Sequence, residues 1–152
     1  ELKNIEDDIR KVSHELNSDF VNQSGYFNMV KNLVETQMTA YNIDYTFKAD
    51  SNINWDMLDN KIKIHLYRIL QETMQNIYKH AESTLVDIEF YLDKNKLNLK
   101  ITDNGVGFDQ TKTKNGIGLK NIKDRLKEIN GFFNVTSQIN KGTSVIITVP
   151  NI

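Results

Sequence analysis

The chain has 152 residues, of which 39% are hydrophobic and 26% are charged, with a formal net charge of -1 and no cysteine. This balance indicates one globular domain, and it excludes a disordered tail, a disulfide framework, thiolate metal ligands and a cysteine nucleophile. The near-neutral charge gives no reason to propose a nucleic-acid partner, and no apolar run is long enough to predict membrane contact by this chain. Because the sequence begins at Glu1 rather than Met, we expect it to be a piece of a longer protein.

The N-terminal half predicts three helices and one strand. Apolar residues spaced three and four apart predict an amphipathic or coiled-coil helix over residues 1–20 and a second helix over residues 27–41. A glycine-containing segment at 22–25 separates the two helices. Alternating apolar residues predict a short strand over 43–49, and a long helix is predicted from about residue 56 to residue 81.

The C-terminal half predicts four strands and one helix. The predicted elements are, in order, strands over 86–92 and 97–103, a helix over 119–130, and strands over 132–139 and 143–149. Gly131 is the predicted C-terminal cap of that helix, and residues 140–142 are the predicted hairpin turn. Residues 109–115 include no apolar residue, which predicts an exposed, mobile loop. Together these elements predict an α+β fold, a two-layer sandwich in which one mixed β-sheet has helices on one face.

Asp103 is the first candidate site residue. It follows a strand with Leu97, Leu99 and Ile101 on one face, and alternation along the strand puts Asp103 on that same apolar face. An unpaired carboxylate there would cost several kcal/mol in desolvation, so we expect a bound group that donates hydrogen bonds to it. Two glycines just beyond the strand allow a sharp turn and the close approach of a ligand.

A second candidate site lies along the long predicted helix. Glu72, Asn76 and Lys79 fall within about 60° of one another on its surface, at the border of the apolar stripe. An acceptor, an amide and a cation in this arrangement suit a phosphate chain with a bound Mg²⁺. The alternative is a solvated helix flank with an incidental ion pair.

Four segments resemble the motifs of one family in the same order along the chain. Residues 71–81 resemble the N box of histidine kinases, and residues 103–108 and 115–119 resemble their first and second glycine boxes. The pair Gly142-Thr143 resembles the Gly-Thr element before the last strand of the family. The chain therefore resembles the ATP-binding catalytic domain of two-component sensor histidine kinases, and this resemblance implies the Bergerat ATP-binding fold over about residues 45–150.

The resemblance also implies roles for individual residues. Asp103 would accept a hydrogen bond from the adenine amino group, with Thr143 near the same base. Asn76 would coordinate Mg²⁺, Glu72 would order metal-bound water or assist proton transfer, and Lys79 would contact phosphate, so these three form the implied catalytic set. The residues implied in ATP binding are Asn76, Lys79, His80, Asp103, Gly105, Val106, Gly107, Gly116, Gly118, Leu119 and Thr143. Residues 109–115 would form a lid, short as in the subfamily that resembles nitrate-sensor and lipid-fluidity-sensor kinases.

The three histidines have separate interpretations. Within the resemblance, His14 belongs to the end of a dimerisation helix, and the alternative is that it is itself the phosphoacceptor. His80 either contacts phosphate or packs against the apolar stripe. His65 belongs to no constellation and is expected at the surface.

At the level of the whole chain, the resemblance implies a linker over residues 1–25 and an ATP-binding catalytic domain over 26–152. It implies transfer of the γ-phosphoryl group of Mg-ATP to a histidine of a dimerisation domain, for relay to a response regulator. That histidine is expected to lie outside this chain, so the chain alone should not autophosphorylate. A homodimeric parent protein and a cytoplasmic domain are also implied. The alternatives are a nucleotide-regulated binding module, such as an anti-sigma-factor kinase or a pseudokinase, and an ATPase of the gyrase or Hsp90 kind.

Overall fold

Three α-helices and five β-strands make up the fold in a computed structural model that describes residues 25–111 and 117–150. The elements are, in chain order, α1 (Gly25–Tyr41), β1 (Asp44–Ala49), α2 (Asn60–His80), β2 (Leu85–Asp93), β3 (Lys96–Asp103), α3 (Ile117–Glu128), β4 (Phe132–Gln138) and β5 (Gly142–Val149). The predicted helix over residues 1–20 lies outside the described residues. The division into a linker over 1–25 and a domain over 26–152 stays a prediction.

The five strands form one mixed sheet in the order β1-β2-β3-β5-β4. Strands β1 and β2 are parallel because α2 connects them as a crossover, and the other neighbouring pairs are antiparallel. The register joins Val86, Asp103 and Thr143 in one row across β2, β3 and β5. The strands therefore bring the end of β3 beside the start of β5.

The core lies between one face of the sheet and the helices. Ile88, Leu99 and Ile147 are almost completely buried on the sheet's inner face, and each helix contributes an apolar stripe to the same core. Aromatic rings join the layers: Trp55 packs on Phe90 with ring centroids 5.1 Å apart. The predicted α+β sandwich with helices on one face is confirmed. Among the described helices, none is both long enough and apolar enough to span a membrane.

The start of α2 differs from the prediction. The helix begins at Asn60, and Asp59 caps it by accepting a hydrogen bond from the Lys61 amide at 3.2 Å. Residues Trp55–Met57 form a separate short 3₁₀ turn that is followed by an extended residue, Leu58. The predicted start near residue 56 was wrong because the partly buried Trp55 ring packs against Phe90 and Leu58 is extended before the helix begins at Asn60.

The end of α3 also differs. The helix ends at Glu128, and the residue in the left-handed region is Asn130, with φ of 53°. The Gly131 amide donates to the Leu126 carbonyl at 2.8 Å, and the Asn130 amide donates to the Lys127 carbonyl at 3.4 Å, as in a Schellman motif. The prediction that Gly131 is the cap was therefore wrong by one residue, because asparagine also tolerates this conformation.

Candidate nucleotide-binding site

Asp103 occupies the inner face of the sheet at the end of β3. Its side chain belongs to a residue only 5% exposed, which confirms the predicted burial. The Gly105 amide donates to Asp103 Oδ1 at 2.8 Å, so one oxygen has a partner within the protein. Burial raises the pKa of Asp103 above its usual value, and the backbone amides of Gly105 and Thr143 oppose part of that rise. The chain thus supplies backbone amides to this carboxylate, and no cationic partner of Asp103 occurs among the described residues.

The glycine turn after Asp103 is clamped from two sides. The Val106 amide donates to the Ala81 carbonyl at 2.7 Å, and the Val106 carbonyl accepts from the Asn140 amide at 2.6 Å. A Cβ atom on Gly105 would lie 2.1 Å from the Ala81 oxygen, which leaves no room for a side chain. Gly107 has φ of 62° and confirms the predicted turn. At these two glycines the close approach is made by the protein's own backbone, whereas the sequence analysis had assigned it to a ligand.

Asn104 is a structural residue that the sequence analysis missed. Its Oδ1 accepts hydrogen bonds from the backbone amides of Thr84 at 2.9 Å and Leu85 at 3.0 Å, and from the Ser83 hydroxyl at 2.8 Å. These contacts fix the loop between α2 and β2 to the end of β3. The signal available in the sequence was the Asn-Gly pair, since asparagine side chains commonly bond nearby backbone in turns.

Thr143 lies opposite Asp103 in the register, as its predicted role requires. Its hydroxyl is 2.8 Å from the hydroxyl of Ser137 on β4. Ser137 Oγ also accepts from the Phe108 amide at 2.9 Å and donates to the Gly142 carbonyl at 3.2 Å. Ser137 was not singled out from the sequence, and it ties the glycine turn to the hairpin between β4 and β5.

The three candidate residues on α2 differ in burial: Glu72 and Asn76 are partly buried, and Lys79 is exposed. Glu72 Oε1 accepts a hydrogen bond from Arg125 Nε on α3 at 3.0 Å, and the Glu72 and Arg125 side chains are 19% and 21% exposed. Glu72 Oε2 is buried without a hydrogen-bond partner among the residues that the structure describes. Asn76 is partly buried, whereas Lys79 is exposed. The flank is therefore not simply solvated, and the ion pair at Glu72 is formed with a different helix.

One of two alternatives for His80 is removed, and the expectation for His65 is corrected. His80 is exposed at the end of α2, so it does not pack in the core. His65 is only partly exposed, and its Nδ1 is buried with no hydrogen-bond partner in the described part of the chain. Its pKa is lowered by burial and by the nearby Arg125, with Glu128 acting in the opposite direction. The expectation of a surface position for His65 was wrong because α3 covers it.

The second glycine box is described only in part. Gly116 lies outside the described residues, while α3 begins at Ile117 and so includes Gly118 and Leu119 in its first turn. At the start of the predicted lid, Gln110 is attached to the edge strand β4. Its Nε2 donates to the Val135 carbonyl at 2.6 Å, and its Oε1 accepts from the Ser137 amide at 3.0 Å.

Side-chain oxygens near Glu72 and Asn76 are the candidate ligands for a metal ion. No group of three or more His, Cys, Asp or Glu residues suited to a metal ion occurs within 25–111 and 117–150. Mg²⁺ that is held by substrate phosphates needs only one or two protein oxygens. The buried, unpartnered Glu72 Oε2 and the amide of Asn76, one helical turn further on, are of the right chemical kind for that arrangement.

Comparison with known proteins gives the family. The sequence profile described as "Histidine kinase-, DNA gyrase B-, and HSP90-like ATPase" matches residues 61–151. The chain belongs to this ATPase family. The predicted resemblance to histidine kinases is also confirmed by relatives that carry that name.

Two of these relatives match nearly the whole chain. The oxygen sensor histidine kinase NreB of Staphylococcus carnosus is 30% identical over 152 residues, which cover 98% of this chain and 43% of NreB. The histidine-protein kinase/phosphatase DegS of Brevibacillus brevis is 31% identical over 144 residues, which cover 94% of this chain and 37% of DegS. The chain thus spans less than half the length of either relative.

Solved structures show the same fold. The blue-light activated histidine kinase of Erythrobacter litoralis superposes with a TM-score of 0.74 at 15% identity, covering 94% of this chain and 46% of that one. The catalytic domain of the histidine kinase ThkA superposes with a TM-score of 0.64 at 20% identity, covering 85% of this chain and 93% of that one. The architecture of this ATPase family member is therefore that of a histidine kinase catalytic domain.

Proposed function

We propose that the chain binds Mg-ATP and transfers its γ-phosphoryl group to a histidine that a dimerisation domain supplies. The observation that carries this proposal is Asp103, a buried carboxylate with one oxygen bonded to Gly105, in a fold whose relatives are named sensor histidine kinases. Relay to a response regulator, a homodimeric parent protein and a cytoplasmic position of the domain follow from the same proposal.

Recognition of the base rests on hydrogen-bond polarity. Asp103 accepts from the amino group at the six position of adenine, and guanine presents a carbonyl oxygen at that position instead. Two acceptors facing each other in a buried site would each lack a donor, which disfavours guanine. The Thr143 hydroxyl, which is 2.8 Å from the Ser137 hydroxyl, is assigned to the same edge of the base. The exposed apolar side chains of Val106 and Ile139 offer surface against which the ring can pack.

Handling of the phosphates rests on the α2 flank. Asn76 and Glu72 would provide the oxygens that hold Mg²⁺, and the bound ion would neutralise phosphate charge. Lys79 is exposed on the last turn of α2 and is free to swing toward the phosphate chain. His80 is likewise exposed and is assigned to phosphate contact. Gly116, Gly118 and Leu119 are assigned to the same end, since the N-terminus of a helix favours anions.

In the transfer step, the bond between the γ-phosphorus and its bridging oxygen breaks and a phosphorus–nitrogen bond to the acceptor imidazole forms. ADP leaves with the bridging oxygen. The attacking imidazole nitrogen uses its lone pair, and the proton on the other ring nitrogen passes to a base. Glu72 either accepts that proton or orders water. Most of the rate acceleration in phosphoryl transfer comes from positioning and electrostatic stabilisation, so the retained Glu72 and Asn76 favour a kinase over a pseudokinase.

Calorimetric titration with ATP and GTP, each with Mg²⁺ and with EDTA, tests the binding half of the proposal. We expect ATP to bind more tightly than GTP, and Mg²⁺ to strengthen ATP binding. Incubation with labelled ATP and a separately purified dimerisation domain of the parent protein tests the transfer. Label should appear on that domain and be absent from the chain alone. Stoichiometric label on His14, or no binding of ATP, would contradict the proposal.

A further inference from the structure

One ion pair joins the helix that carries the N box to the helix that begins in the second glycine box. Arg125 on α3 donates through Nε to Glu72 Oε1 on α2 at 3.0 Å. We infer that Arg125 is a positioning residue that fixes Glu72 so that its second oxygen stays available to the metal and phosphate end of the nucleotide. This inference rests on the proposed function, because it concerns the orientation of a residue in that site.

The burial of Arg125 indicates a specific contact rather than a surface charge. Ile122 and Leu126 on α3 and Ile129 just after it are buried at spacings of four and three, and Arg125 lies beside that stripe with 21% of its side chain exposed. Glu72 is 19% exposed on the opposing helix. An ion pair shielded from water in this way is screened less by solvent than an exposed pair.

The geometry of the pair leaves one oxygen uncommitted. Arginine and a carboxylate often form two parallel hydrogen bonds, which is the stronger arrangement for joining two elements. Here the recorded bond uses Glu72 Oε1, while Oε2 is buried and has no hydrogen-bond partner among the described residues. A buried acceptor of this kind calls for a donor or a cation. The pair therefore restrains the carboxylate and keeps one acceptor free for a ligand.

A second ion pair between the same helices provides a matched control. Lys61 Nζ lies 3.5 Å from Glu128 Oε2, and the two side chains are 57% and 60% exposed. This exposed pair also connects α2 to α3, but it lies near the start of α2, about three helical turns from Glu72. Removing it changes the charge between the helices without touching the carboxylate in the proposed site.

The test compares R125Q, R125K and the control E128Q with the unaltered chain. Calorimetry gives the Kd of ATP with Mg²⁺ and with EDTA. The Kd with EDTA divided by the Kd with Mg²⁺ measures how much the metal strengthens binding. R125Q should reduce this ratio by about tenfold, a typical effect of losing a group that orients a metal ligand. R125K should give a smaller reduction, and E128Q should leave the ratio unchanged. The double variant E72Q/R125Q should be no worse than E72Q alone.

Thermal unfolding of each variant separates positioning from a simple loss of stability. An unaltered ratio in R125Q, together with a lowered melting temperature, would overturn the inference and leave Arg125 as a structural tie. If R125Q does not fold, R125K decides by the same ratio, and an unaltered ratio there overturns the inference. Failure of the unaltered chain to bind ATP in either condition would overturn the proposed function and this inference with it.

Discussion

Replacement of Asp103 by asparagine separates recognition of adenine from maintenance of the fold. In the native chain, Asp103 Oδ1 accepts from the Gly105 amide at 2.8 Å and the Thr143 amide also stabilises the carboxylate, while the adenine amino group is assigned to the second oxygen. Asparagine has one oxygen and one amino group, so it can satisfy Gly105 or adenine, and not both. A buried donor facing a donor costs about 1–3 kcal/mol, which corresponds to about a 5- to 150-fold rise in the Kd of ATP.

The same substitution should have little effect on the free energy of unfolding. Burial raises the pKa of Asp103, so its folded-state pKa lies above its unfolded-state value and the charged form weakens the fold at neutral pH. Asparagine relieves this cost, while its hydrogen bond to Gly105 is weaker than that of a carboxylate. We expect the free energy of unfolding to fall by no more than about 1 kcal/mol. Calorimetry with ATP and urea unfolding measure the two quantities.

Asp87 provides the control for this experiment. It is exposed on the outer face of the sheet, where it accepts from the Thr46 hydroxyl at 2.6 Å, so D87N removes a neighbouring carboxylate from the opposite face of the same sheet. D87N should leave the Kd of ATP unchanged. If D103N also leaves it unchanged, Asp103 is not the acceptor for adenine. If D103N fails to fold, the Asp103 carboxylate is required for the fold, and its assignment to adenine recognition is contradicted.

Three further predictions concern pH and packing. Binding of adenosine, which lacks phosphates that titrate, should weaken as the pH falls through the raised pKa of Asp103, above the ordinary aspartate value of about 3.9; calorimetry should show no such pH dependence in D103N. G105A should destabilise the fold by about 3 kcal/mol because its Cβ would lie 2.1 Å from the Ala81 backbone oxygen. G131A should cost less in urea unfolding because its nearest contact, at 2.7 Å, is the end of the Leu126 side chain, and backbone lies no nearer than 3.2 Å. Equal losses in the two variants would contradict this. Because the pKa of His65 is lowered, stability should fall as the pH drops below about 6.5, and unfolding of H65Q at several pH values should show a smaller fall.

Local patterns predicted the elements that depend on local physics. The face of Asp103 followed from alternation along β3, and the sharp turn followed from the two glycines just beyond that strand, one of which, Gly107, has a positive φ. The start of α2 could not be predicted in this way, because it depends on where the Trp55 ring packs in three dimensions. The cap of α3 was misplaced because Asn130 and Gly131 both tolerate the left-handed region, and no rule of sequence chooses between them.

The partner of Glu72 was also beyond the sequence. Many basic residues of the sequence could in principle pair with Glu72. Only the packing of α3 against α2 selects Arg125 as its partner. One signal was present, since Arg125 sits inside the spacing of the apolar stripe on α3, where a charged residue needs a partner. The roles of Gly116, Gly118 and Leu119 stay predictions.

Helix α2 is the common reference for both ends of the proposed nucleotide site. At its C-terminal end, the Ala81 carbonyl accepts from Val106 and so fixes the turn that follows Asp103. About two and a half turns earlier, Glu72 is held by Arg125. Because both contacts are made to one rigid helix, the distance between the base-reading carboxylate and the phosphate-handling flank is set by the helix rather than by a loop. Loss of the Ala81 contact should therefore disturb recognition of adenine, whereas loss of Arg125 should disturb only the contribution of the metal.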